Sequence, residues 1–271
     1  MIVHPNFDPV AISIGPLSVH WYGLMYLAGF AVGLLLGQYR ASRPGSGWKR
    51  EEIMDLVFYV AMGTIIGGRL GYVLFYNAGF YLHNPLEAFA IWDGGMSFHG
   101  GLLGVAAAMW LYGRKTGRSM FQVTDFVAPL VPTALFFGRI GNFINQELWG
   151  QISDLPWAVL FTIKPDGPRH PSQLYEAGLE GVALFIIIWW FAARPRPVGR
   201  VSGLFLAGYG FFRFLVEFVR EPDAHLGPVL LDWVTMGQVL SVPMIVFGLI
   251  LLLRPAGSAP VAPPVDSRKK V

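Results

Sequence analysis

The sequence predicts an all-α polytopic membrane protein with seven transmembrane helices, its N-terminus outside and its C-terminus in the cytoplasm. Three observations carry this. Of 271 residues, 54% are hydrophobic and only 14% charged, and mean hydropathy is +0.50; a soluble domain carries roughly a quarter charged residues. Apolar runs of about 20 residues, the length that crosses a hydrocarbon core, recur along the chain. Basic residues gather in alternate loops.

The first span is expected at Trp21–Tyr39, the third at Gly94–Gly113 and the seventh at Trp233–Leu253, and these hold no charged residue. The second (Ile53–Phe75), fourth (Thr124–Phe143), fifth (Gln173–Ala193) and sixth (Val201–Val219) hold a few ionisable groups. Between them, Arg40, Arg43, Lys49 and Arg50, then Arg114, Lys115 and Arg118, then Arg194, Arg196 and Arg200 mark the cytoplasmic loops. Arg254, Arg268, Lys269 and Lys270 mark a cytoplasmic tail. The other loops carry only Lys164, Arg169 and Arg220, which fixes the orientation because cytoplasmic loops collect Lys and Arg. No Lys or Arg precedes the first span, and its apolar stretch exceeds a signal h-region, so it reads as a retained helix. Residues 1–20 are expected along the outer interface, with longer outer segments at 77–93 and 146–172. Residues 1–254 read as a single transmembrane catalytic domain and 255–271 as a disordered tail.

There is no Cys, which excludes a disulfide framework, a zinc–thiolate site, an Fe–S cluster and a cysteine nucleophile. Any thiol chemistry must use a partner's thiol. The net charge of +3 reflects topology rather than a nucleic-acid face, because the basic residues sit in short loops between apolar runs.

Three arginines fall inside spans: Arg69, Arg139 and Arg213. An arginine at the bilayer centre costs about 2.5–3.5 kcal/mol on insertion scales and usually faces a bundle interior or a wet cavity. Counted at 1.5 Å per residue, Arg69 and Arg139 sit roughly 22–24 Å from the cytoplasmic loops, with Arg213 nearer the midplane. All three belong to the outer half. Arg69 stands near a span end, where snorkelling or carboxylate pairing competes evenly with ligand binding. Arg139 is followed at i+3 and i+6 by Asn142 and Asn145, a polar stripe suited to an anionic oxygen ligand such as phosphate. Tyr209, Arg213, Glu217 and Arg220 make a second stripe. An internal Arg213–Glu217 pair would neutralise itself, but gives no reason for a polar face continuing through Tyr209.

His99 opens the third span near the outer surface, either as an interfacial or capping group or as a candidate base. Tyr22, near the outer end of the first span, is an aromatic-belt residue or part of a site. His4, His20, His83, His170 and His225 show no metal-ligand spacing. The stretch Gly95–His99 fails the nucleophile-elbow pattern, and there is no His-Glu-x-x-His, Walker loop or intramembrane aspartate pair. What remains is a metal-free, cofactor-free, outward-opening cationic cavity.

Gly138-Arg139-Ile140-Gly141-Asn142-Phe143-Ile144-Asn145-Gln146-Glu147-Leu148-Trp149-Gly150 closely resembles the signature of the bacterial prolipoprotein diacylglyceryl transferases. His20–Gly23, Trp92–Gly101, His170–Glu176, Gly208–Gly210 with Arg213 and Glu217, and Arg220–Asp223 match further blocks, covering nearly the whole chain before Leu253. Gln146 departs from the family's Gly and adds bulk beside Glu147, and the stretch between Gly150 and His170 is short for the family. The resemblance implies transfer of the diacylglyceryl group of phosphatidylglycerol to the lipobox cysteine of a prolipoprotein signal peptide. Glycerol phosphate leaves and a thioether forms, at the periplasmic side of the inner membrane.

On that reading Arg139, with Asn142 and Asn145, holds the lipid phosphate and Arg213, oriented by Glu217, stabilises the leaving phosphate. Tyr22 and Tyr209 order the headgroup, Arg69 joins the binding set, and Glu147 braces Arg139 or the glycerol hydroxyls. His99 is the candidate base; another group or the lipid phosphate itself is the alternative. A lipid or anionic-solute transporter of the inner membrane is the rival class, and would need a polar pathway reaching both leaflets. A non-catalytic membrane scaffold would need no convergent polar stripes.

Overall fold

The computed structural model describes residues 2–15, 17–91, 94–222 and 234–255. Beyond Pro255 the expected disordered tail lies outside them, as do Trp92, Asp93, Asp223 and His225. Four helices are long and apolar enough to cross a membrane: α1 (Trp21–Ala41), α2 (Arg50–Phe75), the continuous helix Ser172–Phe191 and α10 (Met236–Leu253). A fifth candidate is the pair α5 (Met120–Val127) and α6 (Val131–Ile144), which meet at 53°. The bend replaces the single straight span expected over 124–143, because Pro129 and Pro132 remove ladder donors there. Of the remaining helices, α3 (Ala78–His83) is short, α4 (Phe98–Thr116) closes on Arg114 and Lys115, and α9 (Arg200–Val216) has 17 residues.

The all-α expectation needs correction in the outer segments. Strand β1 (Ile2–Val3) pairs in parallel with β4 (Val159–Leu160), and β2 (Val10–Ile14) forms an antiparallel hairpin with β3 (Leu17–His20). The hairpin reverses at Gly15, whose φ of 60° suits a residue without a Cβ.

The described residues fold as two compact units, one built from Met1–Leu36 and Asp125–Pro260 and the other on Gly37–Thr124. In the second, α2 and α4 pack through small residues. A Cβ on Gly67 would stand 2.7 Å from the Cα of Gly104, and one on Gly100 would stand 2.8 Å from the Cα of Gly71. Lipid is as apolar as Leu, so close backbone approach rather than apolar burial drives such pairing. At one end Arg118 pairs with Glu52 at 2.9 Å and lies 4.1 Å over the Trp48 ring, while the Tyr112 hydroxyl donates to the Glu52 carbonyl.

In the first unit Ser172–Phe191 consists of α7 (Ser172–Glu176), a π-helical stretch (Ala177–Ala183) and α8 (Leu184–Phe191). Leu184 and Ile188 form a buried core with Ala128 and Val201, against which Leu204, Tyr209 and Phe212 pack. Helices α9 and α10 approach closely at Gly203, where a Cβ would meet the Gly248 carbonyl at 2.7 Å. The Asp125 carboxylate caps α9, accepting from the backbone N–H groups of Gly199 at 2.6 Å and Ser202 at 2.7 Å.

Candidate active site

The first unit gathers ionisable residues from three helices. Arg139 on α6 pairs through Nε with Glu176 at 2.5 Å and through Nη2 with Glu180 at 3.6 Å. Arg213 on α9 pairs with Glu176 at 3.2 Å and, one turn on, with Glu217. Glu217 also takes Arg220 at 3.3 Å and the Thr235 hydroxyl at 2.5 Å. Glu176 and Glu180 are 0% exposed, whereas the Arg139 and Arg213 side chains keep 17% and 13% of their surface. The carboxylates thus form the back wall and the guanidiniums the open face. Planar forks suit this work, because one guanidinium can satisfy two carboxylates and still present an edge.

The wall arises where the helix Ser172–Phe191 widens. Glu180 lies in the π-helical stretch and Glu176 immediately precedes it. Such insertions recur at functional sites because they re-aim side chains within an otherwise regular ladder. Glu176 and Glu180 were given no role from the sequence, although two carboxyls four residues apart in an apolar span were the available signal.

A second group forms where α6 ends. Asn142 donates through Nδ2 to Glu147 at 2.9 Å, and Asn145 donates to the same Oε1 at 3.5 Å. Among the described residues Asn145 Oδ1 is buried without a hydrogen-bond partner. Glu147, expected to brace Arg139 or the glycerol hydroxyls, gathers the two amides, while Glu176 and Glu180 pair with Arg139. Its flanking residues, Gln146 and Leu148, have left-handed φ values of 54° and 58°, a conformation costing roughly 1–2 kcal/mol for an L-residue. Beyond them Gln173 Nε2 donates to the Glu147 carbonyl at 2.6 Å, and the Ser172 hydroxyl donates to the Leu148 carbonyl at 2.8 Å. None of these holding residues was singled out from the sequence, since each acts on backbone rather than through a motif.

Tyr22 lies against the end of α6, where a Cβ on Gly141 would meet its ring at 3.1 Å, and its hydroxyl is 3.3 Å from that of Tyr26. Tyr209 stacks on Phe205 with ring centroids 5.9 Å apart and lies in the field of Arg139, Arg213 and Glu180. Outside the spans, Glu221 accepts from Trp149 Nε1 at 2.5 Å and pairs with Lys164 and Arg169, each at 2.9 Å. Arg169 also holds Asp166 at 2.6 Å, and that hydrogen bond keeps the exposed Asp166 carboxyl below the ordinary range.

Arg69 and His99 belong to the second unit. Arg69 is buried and donates to four backbone carbonyls: Glu87 at 2.6 Å, Ala88 at 2.9 Å, Gly94 at 2.5 Å and Gly95 at 3.1 Å. Its guanidinium therefore ties down the loop before α4. Gly94 and Gly95 have φ values of 80° and 76°, which bring two carbonyls onto one side chain. This, with Ser97 as N-cap accepting from the Gly100 N–H at 3.1 Å, makes α4 begin at Phe98 rather than at residue 94. His99 follows in the first turn, exposed, with its ring edge-on to Phe98 at 5.6 Å.

Together the apolar helices and the shared arginine–carboxylate cluster define a polytopic membrane protein with an ionic site built from separate helices. The chain belongs to the prolipoprotein diacylglyceryl transferase family, whose model matches residues 9–254. It is 60% identical over 258 residues to a phosphatidylglycerol–prolipoprotein diacylglyceryl transferase of Solidesulfovibrio magneticus, covering 94% of this chain and 97% of the relative. Proteins of the same name from Nitratidesulfovibrio vulgaris (strain DP4) and Aliivibrio fischeri (strain ATCC 700601 / ES114) are each 60% identical. They cover 95% and 92% of this chain, and 97% and 90% of their own lengths.

Proposed function

We propose that the chain transfers the diacylglyceryl group of phosphatidylglycerol to the thiol of the lipobox cysteine of a prolipoprotein, the first step of bacterial lipoprotein maturation. The observation that carries this is the sharing of Glu176 by Arg139 and Arg213, in a chain 60% identical to transferases of that name. In the reaction a carbon–sulfur bond forms at the glycerol carbon of the lipid, its bond to the phosphate ester oxygen breaks, and glycerol phosphate departs. The thiol gives up its proton.

The partly exposed faces of Arg139 and Arg213 hold and neutralise the phosphate as the C–O bond breaks, where fixed charges in a dry site are worth most. Glu176, Glu180 and Glu217 keep those guanidiniums in place beforehand. Glu147 with Asn142 and Asn145 receives the glycerol hydroxyls, for which Asn145 Oδ1 is a ready acceptor. Tyr22 and Tyr209 order the headgroup, and His99 takes the thiol proton. Arg69 holds the loop before α4 in place. We assign seven spans, adding α4 and α9 to the apolar five, with the N-terminus and the site towards the periplasm of the inner membrane. Residues 1–254 act as one catalytic domain.

Purified protein given phosphatidylglycerol and a lipobox peptide should add the mass of a diacylglyceryl group to the peptide cysteine and release glycerol phosphate. Movement of lipid between leaflets of proteoliposomes, with no change in the peptide, would favour the transporter instead.

A further inference from the structure

Among the described residues, three non-glycine residues have left-handed backbones, Asn6, Gln146 and Leu148, with φ values of 53°, 54° and 58°. Gln146 and Leu148 bracket Glu147, and Asn6 reaches the same loop from the other end of the unit's sequence. Gln146 Nε2 donates to Asn6 Oδ1 at 3.1 Å. Thr162 closes the triangle, its N–H donating to Gln146 Oε1 at 2.8 Å and its hydroxyl to Asn6 Oδ1 at 2.8 Å. Two residues before Asn6, His4 is 2% exposed and 3.0 Å from the Phe143 carbonyl, which also accepts the Gln146 N–H at 3.0 Å. The arm is pinned by β1 on β4 and by the His4 N–H to the Leu160 carbonyl at 3.0 Å. Backbone in a disfavoured region persists only where its surroundings over-determine it. Here those surroundings are the N-terminal arm.

We propose that His4 and Asn6 form a clamp that holds Gln146 in its left-handed conformation and thereby positions the Asn142–Asn145–Glu147 group for the lipid headgroup. His4 and Asn6 are positioning residues, and the inference rests on the reading that this group meets the headgroup.

The clamp works with one form of His4. Nδ1 accepts the Asn6 N–H at 3.0 Å, so the ring proton sits on Nε2, where it donates to the Phe143 carbonyl. Protonating Nδ1 would set two N–H groups against each other. The elements packed on the ring, the end of α6 and the segment after β4, present Phe143 and Phe161 to it, and Phe7 closes the third side. Burial among these rings outweighs the hydrogen bond to the Phe143 carbonyl and keeps the imidazole below the ordinary histidine range of about 6.5; among the described residues no carboxylate acts on it. The sign follows: the folded arm binds protons less readily than the unfolded one, so clamping is complete above about pH 6.5 and weakens as pH falls below it.

The test is transfer by the full chain in detergent, with phosphatidylglycerol and a lipobox peptide, between pH 5 and 8. His4→Ala should raise the KM for phosphatidylglycerol about tenfold with kcat within threefold. His4→Gln keeps a donor for the Phe143 carbonyl without titrating, so it should restore the neutral-pH KM and abolish the rise in KM below pH 6.5. In a Gln146→Gly background, where φ near 54° carries no strain, His4→Ala should cost less than twofold. An unchanged KM in His4→Ala, an acid rise undiminished in His4→Gln, or equal penalties in both backgrounds would each overturn the clamp. Hydrogen exchange keeps the two readings apart. If the native chain transfers nothing, loss of amide protection at Gln146 and Glu147 in His4→Ala still upholds the clamp, and retained protection refutes it.

Discussion

Arg139 and Arg213, on different helices, share the carboxylate of Glu176, one at 2.5 Å through its Nε and the other at 3.2 Å through Nη1. The distance between the two guanidiniums is thereby set by a third side chain that is itself wholly buried. Neutralising it leaves Arg139 with Glu180 and Arg213 with Glu217 but removes the one negative charge that both share, and breaking a buried ion pair costs up to about 3–5 kcal/mol. Glu176→Gln keeps the shape and removes the charge. Its transfer kcat/KM should fall by at least about 100-fold, with Glu176→Asp recovering part of the loss. Steady-state transfer rates for the two variants decide this, and a Glu176→Gln enzyme within threefold of the native one would show that the arginines hold their places without it.

Arg139→Lys separates charge from fork. A guanidinium reaches Glu176 with one nitrogen and Glu180 with another, while a single ammonium spans them poorly. We expect kcat/KM to drop by about 100-fold with the protein still folded. Circular dichroism alongside the transfer assay checks both halves; near-normal transfer would remove Arg139 from the phosphate site.

Arg69 makes the opposite prediction. Four carbonyl contacts consume its guanidinium, and hydrogen bonds from a charged donor are worth about 1.5–3 kcal/mol each. Arg69→Lys should lower the thermal midpoint by at least about 5 °C, while the KM for phosphatidylglycerol stays within threefold. A KM raised more than tenfold with the midpoint unmoved would mean that this guanidinium meets the headgroup directly.

The residues that announced themselves in the sequence were those whose charge contradicts their setting. Arg139, Arg213 and Glu217 stand out in apolar runs, and the structure joins them in one network. The Arg213–Glu217 pair, weighed as a self-contained neutralisation, exists but continues to Glu176. What was not legible depends on backbone geometry. Glu176 and Glu180 are brought to Arg139 by a π-helical stretch, which a 3.6-residue period does not reveal. The loop held by Arg69 turns on two glycines whose φ values no composition shows. The hairpin at Val10–His20 is legible in Val10-Ala11-Ile12-Ser13-Ile14, which alternates before Gly15-Pro16, but the apolar bias of the whole chain places residues 1–20 along the outer interface and assigns them no strands.

His99 is the remaining assignment, and its surroundings sharpen the test. Exposed in the first turn of α4, it rests only edge-on against Phe98 among the described residues, so its substitution costs little packing. His99→Gln should fold normally and bind phosphatidylglycerol with the native KM. Without a base its kcat should fall by about 10²–10⁴-fold, the usual contribution of general base catalysis. A pre-ionised acceptor ought to rescue it: the variant's deficit should shrink steadily from pH 6 to pH 9 as the peptide thiol, with an ordinary pKa of about 8.5, gives up its proton to water. Rates of thioether formation by mass spectrometry across that range provide the measurement. Full activity at every pH would pass the proton-accepting role to another group or to the lipid phosphate, while a deficit that does not vary with pH would leave His99 a part in binding the peptide rather than in deprotonating it.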